Sequence, residues 1–217
     1  MAENGLITND RVKQAMLAVD RGHYCAQSPY QDAPQEIGWS ATISAPHMHA
    51  RAAESLLPFL HANARVLDIG SGSGYLTHVL ANLVGDRGRI VGIDHVQGLV
   101  DLAKGNMSRS EAGRRLLETE KVQFVTGDGR RGWAEGAPYD AIHVGAAAKE
   151  MHQAIIDQLK APGRCFIPIG SGEQYIYVID KDEQGNISKN KLFGVRYVPL
   201  TDQKYYSSNY SYADTLH

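Results

Sequence analysis

The chain has 217 residues, of which 43% are hydrophobic and 21% charged, and its formal net charge is −2. That length supports one domain with a sizeable core, and the balance is that of a globular protein. It excludes bulk electrostatic attraction to nucleic acid or to an anionic membrane, and no apolar run reaches the length of a membrane span. Cys25 and Cys165 lie far apart in sequence, so they read as reduced intracellular thiols rather than a disulfide framework. Met1-Ala2-Glu3-Asn4-Gly5 lacks a charged n-region and an apolar h-region. No signal peptide is therefore expected, and the cytosol is the default location.

Asn9 to Val19 carries Val12, Ala15, Met16 and Val19 at helical spacing, with Thr8 or Asn9 as N-cap. Asp20 to Gly38 is polar, contains Pro29 and Pro34, and reads as a surface loop. Ser44 followed by Ala45-Pro46 has the form of a helix start, and that helix is expected to run to about Leu60.

From Ala64 strands and helices alternate. Strands are expected at Val66–Ile69, Arg89–Ile93, Val122–Thr126, Tyr139–Val144 and Arg164–Ile169. Helices are expected at Tyr75–Leu83, Gln97–Met107 and Met151–Leu159. Ser108 to Glu120 is charged and reads as a surface insertion, and Pro162-Gly163 as a turn. Gln174–Asp180 and Lys191–Tyr197 read as a hairpin with no intervening helix. The alternation predicts an α/β fold with a doubly wound, mostly parallel sheet closed by a C-terminal antiparallel hairpin. The expected organisation is a single domain: an N-terminal helical cap over about 1–60, a core over about 61–170, and a hairpin and tail over about 171–217.

The richest segment is Val66-Leu67-Asp68-Ile69-Gly70-Ser71-Gly72-Ser73-Gly74-Tyr75, a strand turning through three glycines into a helix. Such a loop lets backbone approach a ligand, and the helix start offers unpaired N–H groups. Asp94 ends the next strand, about twenty positions on, where an acidic side chain suits a ribose diol; capping the following helix would suit it equally. The spacing Gly70-x-Gly72-x-Gly74 departs from the G-x-G-x-x-G dinucleotide pattern, which disfavours an NAD enzyme. Asp68 could meet an ammonium while loop N–H groups meet a carboxylate, a pairing suited to a methionine-type tail. The pattern resembles the cofactor loop of S-adenosylmethionine-dependent methyltransferases.

Ligands of an open parallel sheet sit beyond the C-terminal strand ends, here at Gly70–Gly74, Asp94-His95, Gly127–Arg130 and Gly145–Ala148. Asp128 could accept from an adenine amino group or could simply close an Asx turn. Gly145-Ala146-Ala147-Ala148 lacks the Asn/Asp-Pro-Pro-aromatic motif in which amino-methylating nucleic-acid enzymes resemble one another. Before the glycine loop, Thr42, Ser44, His47 and His49 concentrate hydroxyls and imidazoles; a helix start with solvent-facing histidines would also account for them.

The run Ala41-Thr42-Ile43-Ser44-Ala45-Pro46-His47-Met48-His49-Ala50 looks like a signature of the protein-L-isoaspartate (D-aspartate) O-methyltransferases. Leu67–Gly74, Gly92–His95, Gly127–Arg130, Pro138–Ala147 and Tyr197–Asp202 are similar to the family's other motifs. The resemblance extends from about Leu6 to Asp202. It implies a Rossmann-like class I methyltransferase with a seven-stranded sheet. It implies protein repair: methyl transfer from S-adenosyl-L-methionine, leaving S-adenosyl-L-homocysteine, to the free carboxylate of L-isoaspartyl or D-aspartyl residues. The ester then closes to a succinimide without enzyme, and hydrolysis returns some normal aspartate.

The resemblance places Ser44 at the active site. It places Ala41, Thr42, Ile43, Ser44 and His49 over the cofactor, with Asp68, Gly70, Gly72, Ser73, Gly74, Asp94, His95, Asp128, Gly129 and Thr201 around it. Partners would be damaged proteins and peptides, with no nucleic acid, no membrane and no metal, and the protein would act as a monomer. Two departures stand out. The N-terminus is shorter than in vertebrate members of the family, and Tyr206 occupies the offset after Thr201 where the family often has glutamine; the tail Ser207–His217 matches no family segment either. The alternatives are a small-molecule O-methyltransferase using the same cofactor and a cofactor-binding regulator without catalysis.

Overall fold

In the computed structural model residues 7–200 are described. Thr201, Asp202, Tyr206 and the tail lie outside them. Nine strands and six helices are numbered in chain order.

Helix α1 (Asp10–Leu17) starts where the Asn9 side chain accepts from the Arg11 N–H, and it buries Val12, Ala15 and Met16. Glu54 accepts from Thr8 N, Thr8 Oγ1 and Asn9 N, which ties that helix start to α2 (Pro46–Leu56).

The polar segment before α2 is more ordered than expected. It contains a 3-10 turn, Arg21–His23, and a hairpin of β1 (Gln35–Gly38) and β2 (Ala41–Ile43). Trp39 and Ser40 form its two-residue tip, with φ of 49° and 53°. Two successive positive φ values are the signature of a type I′ turn, which normally uses Asn-Gly. Non-glycine residues there cost about 1–2 kcal/mol each, so the sequence carries no ordinary hairpin signal.

The α2 start also differs from expectation. Its N-cap is Ala45, which makes no side-chain cap bond, and Ser44 is left free of that task. Asp32 accepts from His47 N and pairs with His47 Nδ1 at 2.9 Å instead. A 3-10 turn, Leu57–Phe59, takes over from the helix before Leu60.

The seven-stranded sheet has the order β5-β4-β3-β6-β7-β8-β9. Strands β3 (Arg65–Ile69), β4 (Arg89–Asp94), β5 (Val122–Thr126), β6 (Tyr139–Val144) and β7 (Leu159–Ile169) are parallel. Strands β8 (Gln174–Lys181) and β9 (Ile187–Val195) close the sheet antiparallel. Helices α3 (Tyr75–Leu83) and α4 (Gln97–Met107) lie where the sequence puts them. This is the doubly wound sheet with a terminal hairpin that the sequence and the resemblance predict.

Side chains alternate between two cores. Val66, Ala141 and Phe166 face the core shared with α1 to α4; Leu67, Ile69, Ile142 and Cys165 face the other, with Ile155 of α6 (Gln153–Asp157). Cys25 and Cys165 are both buried and free.

Three boundaries depart from the sequence reading. Ser108 to Glu120 holds a further helix, α5 (Glu111–Glu118), capped by Ser110 Oγ accepting from Gly113 N. Its Leu116 and Leu117 pack on the core, while charged neighbours mask the apolar stripe. Helix α6 is shorter than Met151–Leu159. Strand β7 already begins at Leu159, passing through Pro162 with a register shift against β6 rather than turning there.

Gly92 in the middle of β4 marks a close approach. A Cβ there would sit 2.7 Å from Phe124 and 3.1 Å from the Ser71 side chain. Gly92→Ala is therefore expected to destabilise the protein by about 1–3 kcal/mol. In a thermal melt that corresponds to a fall in Tm of roughly 2–4 °C per kcal/mol.

Candidate active site

Three strand ends meet at the top of the sheet. Gly70 N donates to the Ile93 carbonyl at 2.8 Å and Gly145 N to the Ile69 carbonyl at 2.7 Å. Between β3 and α3 the chain takes φ of 72°, 50° and 83° at Gly70, Gly72 and Gly74. Every second residue thus needs the left-handed region, which is why the glycines alternate. At Gly74 a side chain would also press on Ala103 and Phe124 at 3.0 Å.

The loop borders a cleft of about 640 Å³, which Ala41, Thr42, Gly70, Gly72, Asp94, His95 and Gly129 help to line. A smaller arm of about 330 Å³ shares Thr42, Gly70 and Gly72 with it. Its wall adds Ile43, Ser44, His49, Asp68, Ser71, Ser73 and His143. The β1–β2 hairpin forms the roof over both. Trp39 at its tip lies so close to α4 that a Cβ on Gly98 would meet the indole at 2.5 Å.

Asp94 is buried and holds the loop: its Oδ2 accepts from Gly72 N at 3.1 Å and its Oδ1 from Val96 N at 3.2 Å. Burial pushes its carboxyl up, against those hydrogen bonds and the neighbouring His95. The His95 backbone N–H donates to the carboxylate as well, so about one of its four acceptor sites remains for a ligand. Asp94 does not cap α4, whose N-cap is Val96 without a side-chain cap bond; its hydrogen bonds tie the glycine loop to the end of β4.

Asp68 is buried beneath the smaller arm, with Oδ2 accepting from Thr77 Oγ1 at 2.6 Å and Oδ1 paired with His143 Nδ1 at 2.8 Å. A free ammonium acceptor was expected there; one lone pair per oxygen remains. At the Gly127–Arg130 loop Gly129 lines the cleft. The Asp128 carboxylate caps the following 3-10 turn and pairs with Arg130, Nε to Oδ1 at 2.9 Å and Nη2 to Oδ2 at 2.8 Å. Arg130 beside it holds the carboxyl below its usual range. The Asx-turn reading of Asp128 is the one its hydrogen bonds satisfy.

The two histidines of the signature segment diverge. His47 pairs with Asp32 away from the cleft, while His49 is buried in the arm with Arg21 Nη1 3.1 Å from its Nδ1. Burial and then Arg21 hold the His49 ring well below the ordinary histidine range. Ser44 lies in the same arm, and its carbonyl accepts from Arg21 Nη2 at 2.7 Å. Burial pushes the Tyr197 hydroxyl up to about 12, while the Ser44 hydroxyl beside it pulls the other way.

Tyr197 opens a strap that closes the cleft through Val198, Pro199 and Leu200. Ala147 N donates to the Val198 carbonyl and Leu200 N to the Ala147 carbonyl, both at 2.8 Å. Gln174 holds the Tyr197 backbone from β8 at 2.6 and 3.0 Å. A Cβ on Gly145 would lie 2.9 Å from the Gly70 carbonyl, so the backbone here approaches the glycine loop directly.

Sequence reasoning missed Arg21, Trp39 and His143 as site residues. Only Trp39 carried a local hint, the aromatic between Gly38 and Ser40. Arg21 and His143 reach the arm through tertiary contacts alone. Among the described residues no group of three or more His, Cys, Asp or Glu is placed to hold a metal ion. No helix among them is long and apolar enough to cross a membrane.

Comparison with known proteins agrees with this geometry. A family model described as Protein-L-isoaspartate(D-aspartate) O-methyltransferase matches residues 1–205. Protein-L-isoaspartate O-methyltransferase 1 of Arabidopsis thaliana is 48% identical, over 94% of this chain and 89% of that protein. The Caenorhabditis elegans protein-L-isoaspartate O-methyltransferase is 46% identical, over 94% of this chain and 90% of its own. A solved Plasmodium falciparum structure, described as a protein-L-isoaspartate O-methyltransferase in complex with S-adenosyl-L-homocysteine, superposes with a TM-score of 0.85. It is 35% identical and covers 92% of this chain and 94% of that one. The glycine loop, the roof carrying Ser44 and His49, and these relatives over most of the chain place it in one family: it belongs to the protein-L-isoaspartate (D-aspartate) O-methyltransferases.

Proposed function

We propose that the cleft transfers a methyl group to the free carboxylate of L-isoaspartyl and D-aspartyl residues in damaged proteins, with Ser44 orienting that carboxylate. The chain is an S-adenosylmethionine-dependent carboxyl methyltransferase of protein repair, as its family is. The observation that carries the role assignment is the smaller arm, where Ser44 and His49 share a wall with the glycine loop.

The residues present fit the cofactor. Ser71 Oγ is buried beside the loop with no hydrogen-bond partner among the described residues, and Asp94 keeps acceptor capacity. Ala41, Thr42, Ile43, His49, Asp68, Gly70, Gly72, Ser73, Gly74, Asp94, His95, Asp128, Gly129 and Thr201 are the positions assigned to it. Thr201 lies outside the described residues, and Asp128 would have to share its carboxylate with Arg130. Asp94 would hold the ribose hydroxyls. S-Adenosyl-L-methionine supplies the activated methyl group when bound.

A carboxylate with a pKa near 4 is ionised at neutral pH, so no residue has to remove a proton. Ser44 donates a hydrogen bond and fixes the direction from which the carboxylate oxygen approaches. The hairpin roof excludes water around it. Methylation starts the return of the residue to a normal aspartyl linkage. We place the protein in the cytosol as a monomer acting on protein and peptide chains, with residues 1–217 working as one domain. The near-neutral charge supports a substrate other than nucleic acid.

Labelled S-adenosylmethionine and two peptides differing only in an L-isoaspartyl or L-aspartyl linkage test the acceptor. Label is expected on the isoaspartyl peptide alone; equal labelling would sink the assignment. Ser44→Ala should lose roughly 10- to 100-fold in kcat, the worth of one hydrogen bond to a charged group. Its calorimetric Kd for S-adenosylhomocysteine should stay put, and unchanged turnover would remove Ser44 from the role. Asp94→Asn should weaken that Kd by about tenfold or more, with the isoaspartyl preference retained.

A further inference from the structure

Arg21 belongs to a short turn far from the glycine loop in sequence, yet it is 4% exposed and touches both signature residues of the smaller arm. A buried guanidinium needs its N–H groups matched. Its Nε donates to the Pro29 carbonyl and its Nη2 to the Ser44 carbonyl, both at 2.7 Å. Its Nη1 lies 3.1 Å from His49 Nδ1, and its plane stands 5.0 Å from the Tyr75 ring centre. All three acceptors are neutral.

A guanidinium only donates, so His49 Nδ1 must accept. The single ring proton then sits on Nε2. A second proton on Nδ1 would set two donors and two positive charges face to face. The surroundings agree with a neutral ring. Arg21 faces it from the 3-10 turn, Tyr75 from α3 with ring centres 5.1 Å apart, and His143 from β6, with His47 on its own helix. Asp68, on the arm's floor, spends one lone pair on His143.

We propose that Arg21 is a positioning residue of the methyl-transfer cleft: it locks His49 as the neutral Nε2–H tautomer, which can donate into the arm and cannot act as a base, and ties the same guanidinium to the Ser44 backbone. The ligand atom that suits such a ring is a carboxylate oxygen. The purpose assigned to the lock rests on the methyl-transfer reading, whereas the lock itself is read without any turnover.

The experiment uses the full chain with carbon-13 and nitrogen-15 labelled histidine, the His49 signals being identified by their loss in His49→Asn. In the unaltered protein His49 is expected to stay neutral and Nε2-protonated as the pH falls through the ordinary histidine value of about 6.5. In Arg21→Met, or in Arg21→Gln should the apolar change prevent folding, the ring should populate both tautomers and titrate closer to about 6.5. The same variant should lose roughly 10- to 100-fold in kcat on the isoaspartyl peptide, as a misaligned site does. An Nδ1–H or a titration near 6.5 in the unaltered protein overturns the proposal. So does a variant whose ring state or kcat is unchanged. A locked His49 in a protein inactive on isoaspartyl peptides would leave the lock standing and overturn the acceptor assignment instead.

Discussion

The site depends on backbone meeting backbone where β3, β4 and β6 end. Gly70 bonds to the Ile93 carbonyl and Gly145 to the Ile69 carbonyl, and a Cβ on Gly145 would fall 2.9 Å from the Gly70 carbonyl. No side chain fits in that space. The approach lets the loop turn into α3 at once, lets Asp94 reach across to Gly72, and leaves a floor of peptide groups on which a ligand can rest. A side chain at Gly145 would push apart strand ends whose spacing sets the cleft, and at Gly70 the left-handed φ of 72° disfavours one.

Over this floor lies a roof that is held from elsewhere. The hairpin tip carries two strained residues, Trp39 and Ser40, and the segment after it has no side-chain cap of its own. Strain of this kind persists only when surroundings over-determine it. Here Trp39 stacks against α4, Asp32 takes the free N–H at His47, and Arg21 takes the Ser44 carbonyl. Residues 20–49 therefore act as a clamp. Their hydrogen bonds converge on the segment that presents Ser44 and His49.

What the sequence disclosed follows from which forces are local. The parallel strands buried on both faces, such as Val66–Ile69 and Tyr139–Val144, read directly, because continuous apolar runs between glycines have few other meanings. The glycine loop read directly because backbone geometry demands a residue type. The β1–β2 hairpin did not, because Trp39-Ser40 replaces the residues a type I′ turn prefers. Helix α5 was hidden because its charged face outnumbers Leu116 and Leu117. Asp128 is ambiguous for a related reason: an Asx turn, an Arg130 pair and a ligand contact all draw on the same carboxylate. Arg21 and His143 were invisible because a buried polar contact between residues 28 or 75 positions apart leaves no local trace.

The chemistry of the arm fits its substrate class by what it withholds. A phenol or an amine acceptor must lose a proton, which calls for a base near the attacking atom. His47 is paired with Asp32, His49 has its acceptor nitrogen committed to Arg21, and burial pushes the Tyr197 hydroxyl up to about 12. His143 gives Nδ1 to Asp68, and His95 lies beside Asp94 with its Nδ1 3.5 Å from Oδ1. A carboxylate acceptor asks for none of this: it arrives ionised and needs donors that hold it in line. Neutral donors suit that task better than a cation would, because they orient the oxygen without neutralising the charge that makes it a nucleophile. A wall of Ser44 and a neutral His49 is built for alignment, and alignment is what transfer to an already ionised acceptor requires.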